Sequence, residues 1–446
     1  MATDTPLTYR NLVIYEIYVR NHGPNGSFAD VEADLPRIHS MGVDVIWFMP
    51  IHPIGNVARK GTRGSPYAIQ DYREVNPEYG TRQDFFRLVE HAHALGLKVM
   101  IDVVYNHTSP DSLLASQHPE YFHQDASGKP VTTEPEWSDV IDLKHMHPEL
   151  TAYLIETLQG WVHFGIDGFR CDVASLVPVE FWQQARTAVA DVKPGVIWLA
   201  ETVHAEFVGW RRRQGLSGYS DSEIYSAFDL TYDYDIWAIW QKAVRGEVPV
   251  SRYLEMLRFQ DCIYPANFVK MRCVENHDQA RILELAPSRL QAMTWTAFEA
   301  FNKGAFLIYG GQETAARRTP SLFESDKIEW GDYELQPFLT RLTTMKKDPA
   351  LIEGQFILLS SEPAVQAAWQ HPEASLYGVF NVSGAAGEVK VHLPDGEYPD
   401  LLSDTSVTVK EGKITLPESA VILRSGEVRQ LKLFFSELLD HKLPPS

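Results

Sequence analysis

Three acidic residues, remote from one another along the chain, each close an apolar run. Asp172 ends Gly168-Phe169-Arg170-Cys171-Asp172, Glu201 ends Val196-Ile197-Trp198-Leu199-Ala200-Glu201, and Asp278 ends Val274-Glu275-Asn276-His277-Asp278. A fourth run, Asp102-Val103-Val104-Tyr105-Asn106, ends in His107. An ionisable group at the end of an apolar strand is costly unless it is paired or faces a site. One such group would mean little, but three carboxylates with Arg170, His107 and His277 beside them make an acid–base centre. The chemistry that fits is cleavage of a glycosidic bond, which needs one ionised and one protonated carboxyl group. Arg170 lies two residues before Asp172, hence on the same strand face. Its guanidinium is expected to lower the Asp172 pKa and keep that carboxylate charged for attack. Glu201 emerges from an apolar strand near a negative neighbour, so its pKa is expected to rise and leave it ready to donate a proton. Asp278 can hold sugar hydroxyls and stabilise positive charge developing at the ring.

Such residues need a scaffold that gathers strand ends. Apolar runs suited to strands occur at 13–19, 43–49, 98–105, 168–174, 196–202, near 225–229, at 268–275 and at 305–309. Between them lie helical patterns: Phe28, Val31, Leu35 and Ile38; Phe85, Leu88, Val89, Ala92 and Leu95; Leu150 to Trp161; and 179–191. Near-continuous apolar strands separated by helices imply a parallel sheet buried on both faces. Eight such units imply a closed (β/α)₈ barrel, an α/β fold whose active site sits at the C-terminal ends of the strands. The long segment 107–147, rich in Pro, His, Asp and Ser, reads as a small subdomain inserted after the third strand. From residue 350 the pattern changes to short β-rich segments separated by Pro394-Asp395-Gly396 and Glu411-Gly412, as in an antiparallel β-sandwich. The expected division is therefore 1–106 with 148–349 as barrel, 107–147 as insert, and 350–446 as sandwich with a tail, 426–446, that reads as a short helix.

The four motif-bearing strand ends resemble the signature regions of the α-amylase family, glycoside hydrolase family 13. Ser65-Pro66-Tyr67 and Asn76-Pro77-Glu78-Tyr79-Gly80-Thr81 extend the likeness over residues 10–425. The resemblance implies a retaining α-glycoside hydrolase that cleaves α-1,4-glucosidic bonds by double displacement through a covalent glycosyl-enzyme. It makes Asp172 the nucleophile, Glu201 the general acid/base and Asp278 the transition-state stabiliser. Tyr67, His107, Arg170 and His277 become contacts to the sugar at the cleavage point, and Asp102 a support behind them. A transglycosylase, such as a 4-α-glucanotransferase or maltosyltransferase, would use the same triad and is the alternative. A non-catalytic barrel of the transporter heavy-chain type lacks an intact triad and carries a membrane anchor, neither of which matches here. Asn106 corresponds to a calcium ligand in many relatives. The insert offers no convincing set of further oxygen ligands, and the Asp-rich calcium loop is absent. No metal ligand is assigned and no cofactor is expected to be required, with calcium at Asn106 left open. Val173-Ala174-Ser175 after Asp172 departs from the Lys-His pair of many starch-liquefying enzymes.

Composition narrows the partners. With 40 Lys and Arg against 59 Asp and Glu, the net charge is −19, the opposite of a nucleic-acid footprint. No apolar stretch approaches the ~20 residues of a membrane span. Met1-Ala2-Thr3-Asp4-Thr5-Pro6 has no secretory pattern, and the three cysteines form no disulfide framework. A cytoplasmic protein acting on α-glucan or maltooligosaccharide is the expectation. Cys171, between Arg170 and Asp172, is expected to point away from them as a small buried hydrophobe. His91 and His93 read as solvated, and His145 and His147 lack a partner that would complete a zinc site.

Overall fold

The computed structural model describes residues 4–425. The helix expected in the tail, 426–446, lies outside the described residues. Eight parallel strands close into a barrel: β1 Val13–Ile17, β2 Val45–Phe48, β3 Lys98–Val103, β4 Gly168–Cys171, β5 Ile197–Ala200, β6 Leu230–Tyr232, β7 Val269–Arg272 and β8 Ala305–Tyr309. Except for Lys98 at the start of β3, every strand residue is buried. Helices cover the outer face and side chains fill the inner one, so these strands read as unbroken apolar runs.

The sixth strand is a correction. It was expected near 225–229 but lies at Leu230–Tyr232. Tyr225 to Phe228 instead finish the turn after a short helix, Asp221–Ile224, with Tyr225 and Phe228 as buried rings. β6 has only three residues and is flanked by Asp229 and Asp233, so no apolar run marks it.

The expected helices form at Phe28–Ser40, Arg82–Ala94, Pro148–Phe164 and Val179–Val192. The first two begin with reciprocal caps. Ser27 and Thr81 accept from the N–H groups of Asp30 and Asp84, whose carboxylates accept in return from the N–H of the capping residue. After β3 the chain makes a two-stranded ribbon, His107–Thr108 against Ile141–Asp142, with a helix at Leu113–Gln117 between. The Tyr72 hydroxyl donates to the His107 carbonyl at 2.8 Å, which fixes this ribbon over the barrel mouth.

The C-terminal part is a four-stranded antiparallel sheet in the order Gln355–Ser360, Val365–Gln370, Ser375–Phe380, Ala420–Ser425, with two small ribbons beside it. Alternate residues divide between two cores. Val365, Ala367, Trp369, Leu376, Phe380 and Ile422 join the barrel core, whereas Ala368, Tyr377, Val379, Val421 and Leu423 join a second core with the ribbons. Phe380 packs its ring against Phe298 and Phe301, and Trp369 Nε1 donates to the Phe301 carbonyl at 2.7 Å. Among the described residues no helix is long and apolar enough to cross a membrane.

Candidate active site

Strand register brings the first charges together. Asp102 on β3 lies beside Arg170 on β4, and Asp172 and Glu201 follow directly on β4 and β5. Arg170 Nη1 donates to Asp102 Oδ1 at 2.9 Å and to Asp172 Oδ1 at 2.8 Å, and Nη2 lies 2.9 Å from Glu201 Oε2. One guanidinium thus sits among three carboxylates. Rings of Trp47, Tyr67 and Tyr232 surround it at 5.2, 5.6 and 5.3 Å, and its Nε donates to the Tyr232 hydroxyl at 3.0 Å. The weak hydration of guanidinium makes Arg the residue suited to this role.

A second chain of contacts arrives from the other side of the barrel. His277 Nε2 is 3.0 Å from Asp278 Oδ2 and 2.7 Å from the Tyr67 hydroxyl, which donates to Asp102 Oδ2 at 3.2 Å. His277 Nδ1 bonds Glu16 on β1, a fully buried carboxylate. The Tyr67 and His277 rings stack at 5.6 Å. His107 Nε2 lies 3.9 Å from Asp172 Oδ2. All seven residues expected at the site therefore meet at one end of the barrel, with Asp102 behind them.

Their charge states differ for physical reasons. Burial pushes the Glu201 carboxyl up to about 7; Arg170 pulls against this, and the negative Asp172 and Asp278 add to it. Burial also takes Asp172 to about 6, with Arg170 opposing. The expectation that Arg170 would hold Asp172 below its ordinary value is thus corrected: the guanidinium does favour the charged form, but full burial outweighs it. Asp278 is also buried, yet the His277 cation beside it holds its pKa below the ordinary value. His277 itself is desolvated, but Asp278 and Glu16 raise it well above the usual histidine range. Burial lowers His107. Of the three acids, Glu201 keeps its proton to the highest pH and Asp278 loses it at the lowest.

Tyr67, His107, Asp172, Val173, Glu201 and Asp278 face a cavity of about 220 Å³. Arg170 and His277, expected to touch sugar, are fully buried behind the carboxylates and do not line it. Sequence reasoning missed Lys60, Trp137, Asp139 and Phe323 in the cavity wall, and Glu16 behind it. Glu16 had a signal, an acid inside the apolar run of β1; the wall residues lie on loops without periodicity. Val173 sits at φ 36°, a left-handed conformation that is strained for a β-branched residue.

Several lesser expectations have clear outcomes. Cys171 is buried in the apolar core, and burial raises its thiol pKa. His145 is also buried, bonds the Tyr105 carbonyl at 2.8 Å and is driven down to about 4 by desolvation. His93 is not simply solvated, since its Nε2 lies 2.8 Å from Asp167 Oδ2. Asn106 Nδ2 lies 3.1 Å from His107 Nδ1. Among the described residues no three His, Cys, Asp or Glu side chains are grouped to hold a metal.

Residues 17–350 match the family model for the alpha-amylase catalytic domain, and residues 358–423 match that for the bacterial alpha-amylase C-terminal domain. An alpha-amylase structure from Lactobacillus plantarum is 44% identical with a TM-score of 0.91, covering 94% of this chain and 100% of that one. A noncanonic maltogenic alpha-amylase, AmyB, from Thermotoga neapolitana is 33% identical with a TM-score of 0.83 over the same shares. Among curated proteins, Alpha-amylase MalA of Haloarcula japonica is 29% identical over 78% of this chain and 50% of its own length. An alpha-1,4-glucan:maltose-1-phosphate maltosyltransferase of Cereibacter sphaeroides is 35% identical over 45% of this chain and 37% of its own. The chain thus spans half or less of the length of these two curated relatives. The matched catalytic model covers β2 to β8 and every residue of the acidic cluster except Glu16, and the chain belongs to the alpha-amylase family, glycoside hydrolase family 13.

Proposed function

We propose that the protein is a retaining α-glucan hydrolase that cleaves α-1,4-glucosidic bonds in maltooligosaccharides. The observation that carries this reading is the Arg170 guanidinium in contact with both Asp172 and Glu201 at the wall of one cavity. Asp172 is the nucleophile: ionised, it attacks the anomeric carbon and forms a glycosyl ester. Glu201 gives its proton to the departing glycosidic oxygen, then takes one from water as the water attacks the ester. Asp278 and His107 hold the sugar, and Tyr67 stacks beneath it. Arg170 and His277 orient the carboxylates from behind. No metal or other cofactor takes part in these steps.

The residue ranges 1–106 with 148–349, 107–147 and 350–446 are part of the same proposal, as barrel, insert and C-terminal domain. So is a cytoplasmic location. Its support is Cys171, Cys262 and Cys273, all free thiols, with Cys262 exposed, as suits a reducing compartment.

A transferase is the second reading, favoured by the maltosyltransferase relatives. The two differ only in whether water or a sugar hydroxyl opens the ester. Maltohexaose digests followed over time separate them. Products that only shorten support hydrolysis. Products longer than the substrate, dominant from the start, would replace it with transfer.

A further inference from the structure

One side of the cavity is closed by a segment that crosses between two other loops. Residues 59–64 belong to the loop after β2. Lys60 Nζ lies 2.8 Å from Asp139 Oδ1 and donates to the Glu136 carbonyl at 3.3 Å, both in the insert after β3. At the other end, the Arg63 N–H donates to the Phe323 carbonyl at 2.9 Å and the Thr62 N–H to Glu324 Oε1 at 3.0 Å, both in the loop after β8. Between them Gly61 has φ +62°, and a Cβ there would come within 2.6 Å of the Phe323 Cβ. Only glycine allows so close a crossing.

The crossing is braced from beneath. Buried Arg20, just past β1, donates from Nη1 to the Gly64 and Leu322 carbonyls at 2.9 and 3.1 Å, and from Nη2 to the Arg63 carbonyl at 3.2 Å. Lys60 lines the cavity together with Asp139, Leu322 and Phe323, so the crossing meets substrate through Lys60. In the ring of strands, β5 stands opposite β1. The wall is therefore built from β2, β3 and β8 loops around β1, and Glu201 at the end of β5 faces it. A leaving group must lie beside the acid that protonates it. The wall accordingly stands on the glycone side.

We propose that Lys60–Gly64 is a fixed wall that stops the glycone side of the pocket, so that the enzyme binds an α-glucan by its non-reducing end. The Lys60 ammonium and the Asp139 carboxylate are the groups that meet the hydroxyls of the terminal sugar. This rests on the hydrolase reading above and specifies its substrate as chain ends.

The test compares the full chain on maltoheptaosides with a free and with an ethylidene-blocked non-reducing end. The blocked compound is expected to react at least about tenfold more slowly, a barrier difference of roughly 1.4 kcal/mol. Equal rates would overturn the wall and leave the hydrolase reading standing. No cleavage of either would overturn both. Lys60→Ala is expected to raise the blocked-to-free rate ratio, and Lys60→Arg to bring it back. Glu324→Ala, which removes the acceptor of the Thr62 N–H and so loosens the other end, is expected to raise it independently. A ratio unmoved in both Lys60→Ala and Glu324→Ala, with both variants folded, would also overturn the proposal, because a purely structural role lowers both rates together.

Discussion

The backbone N–H of Val173, the residue after Asp172, donates to Glu201 Oε2 at 2.7 Å. The turn that ends the nucleophile strand therefore holds the acid in place, and Val173 within it has a strained φ of 36°. Such strain costs on the order of 1–3 kcal/mol and persists where the surroundings enforce it.

Glu201→Gln keeps an oxygen for Val173 N–H, and Asp172→Ala leaves Arg170 with Asp102 and Glu201. Both variants are expected to fold with little change in Tm and to lose at least about 10³-fold in kcat on maltooligosaccharides. Circular dichroism melts and rate assays check this. Full turnover in either would remove that residue from its role.

The two central acids set a bell-shaped profile. Activity needs Asp172 ionised and Glu201 protonated, so kcat/KM is expected to fall as pH drops through about 6 and as it rises through about 7. Because the groups share Arg170, these limbs belong to the pair. In Glu201→Gln, with an activated leaving group that needs no proton, the alkaline limb is expected to vanish while the acidic limb stays.

Glu16 acts through His277. Glu16→Gln removes a negative partner, so the imidazole loses its proton more readily and Asp278 loses part of its cation. The Asp278 pKa then rises. Activity is expected to drop about tenfold, with the acidic limb still set by Asp172; unchanged activity would mark Glu16 as structural only.

The active end of the barrel and its other end separate in stability. Asp167, just before β4, accepts from Val99 N–H and pairs with His93 and Lys193. Burial opposes its charge, yet these partners hold it at about 2. Its folded value lies below the unfolded one, so its contribution is present above about pH 4 and lost as pH falls through about 2. Asp167→Asn is expected to cost about 1 kcal/mol at neutral pH after solvent screening, with the difference fading in acid and kcat unchanged. Urea melts at several pH values check it.

The acidic cluster was legible because charges at the ends of apolar runs are conspicuous. Glu16 carried the same signal inside β1, as did Lys270 and Arg272 inside β7, which pair with Asp221, Asp235 and Asp233. β6 escaped because three residues between two aspartates make no run. The net direction at Asp172 escaped because a sequence names a partner, Arg170, but not the depth at which the pair is buried. The wall at 59–64 rests on carbonyls meeting Arg20 and on a glycine crossing Phe323. Neither leaves a periodic trace.

The central claim is that Asp172 and Glu201 carry out two successive displacements at one anomeric carbon. Proton NMR of the first product formed from a maltooligosaccharide, recorded before mutarotation, tests it most directly. The account predicts the α-anomer at the new reducing end; a β-anomer appearing first would contradict it.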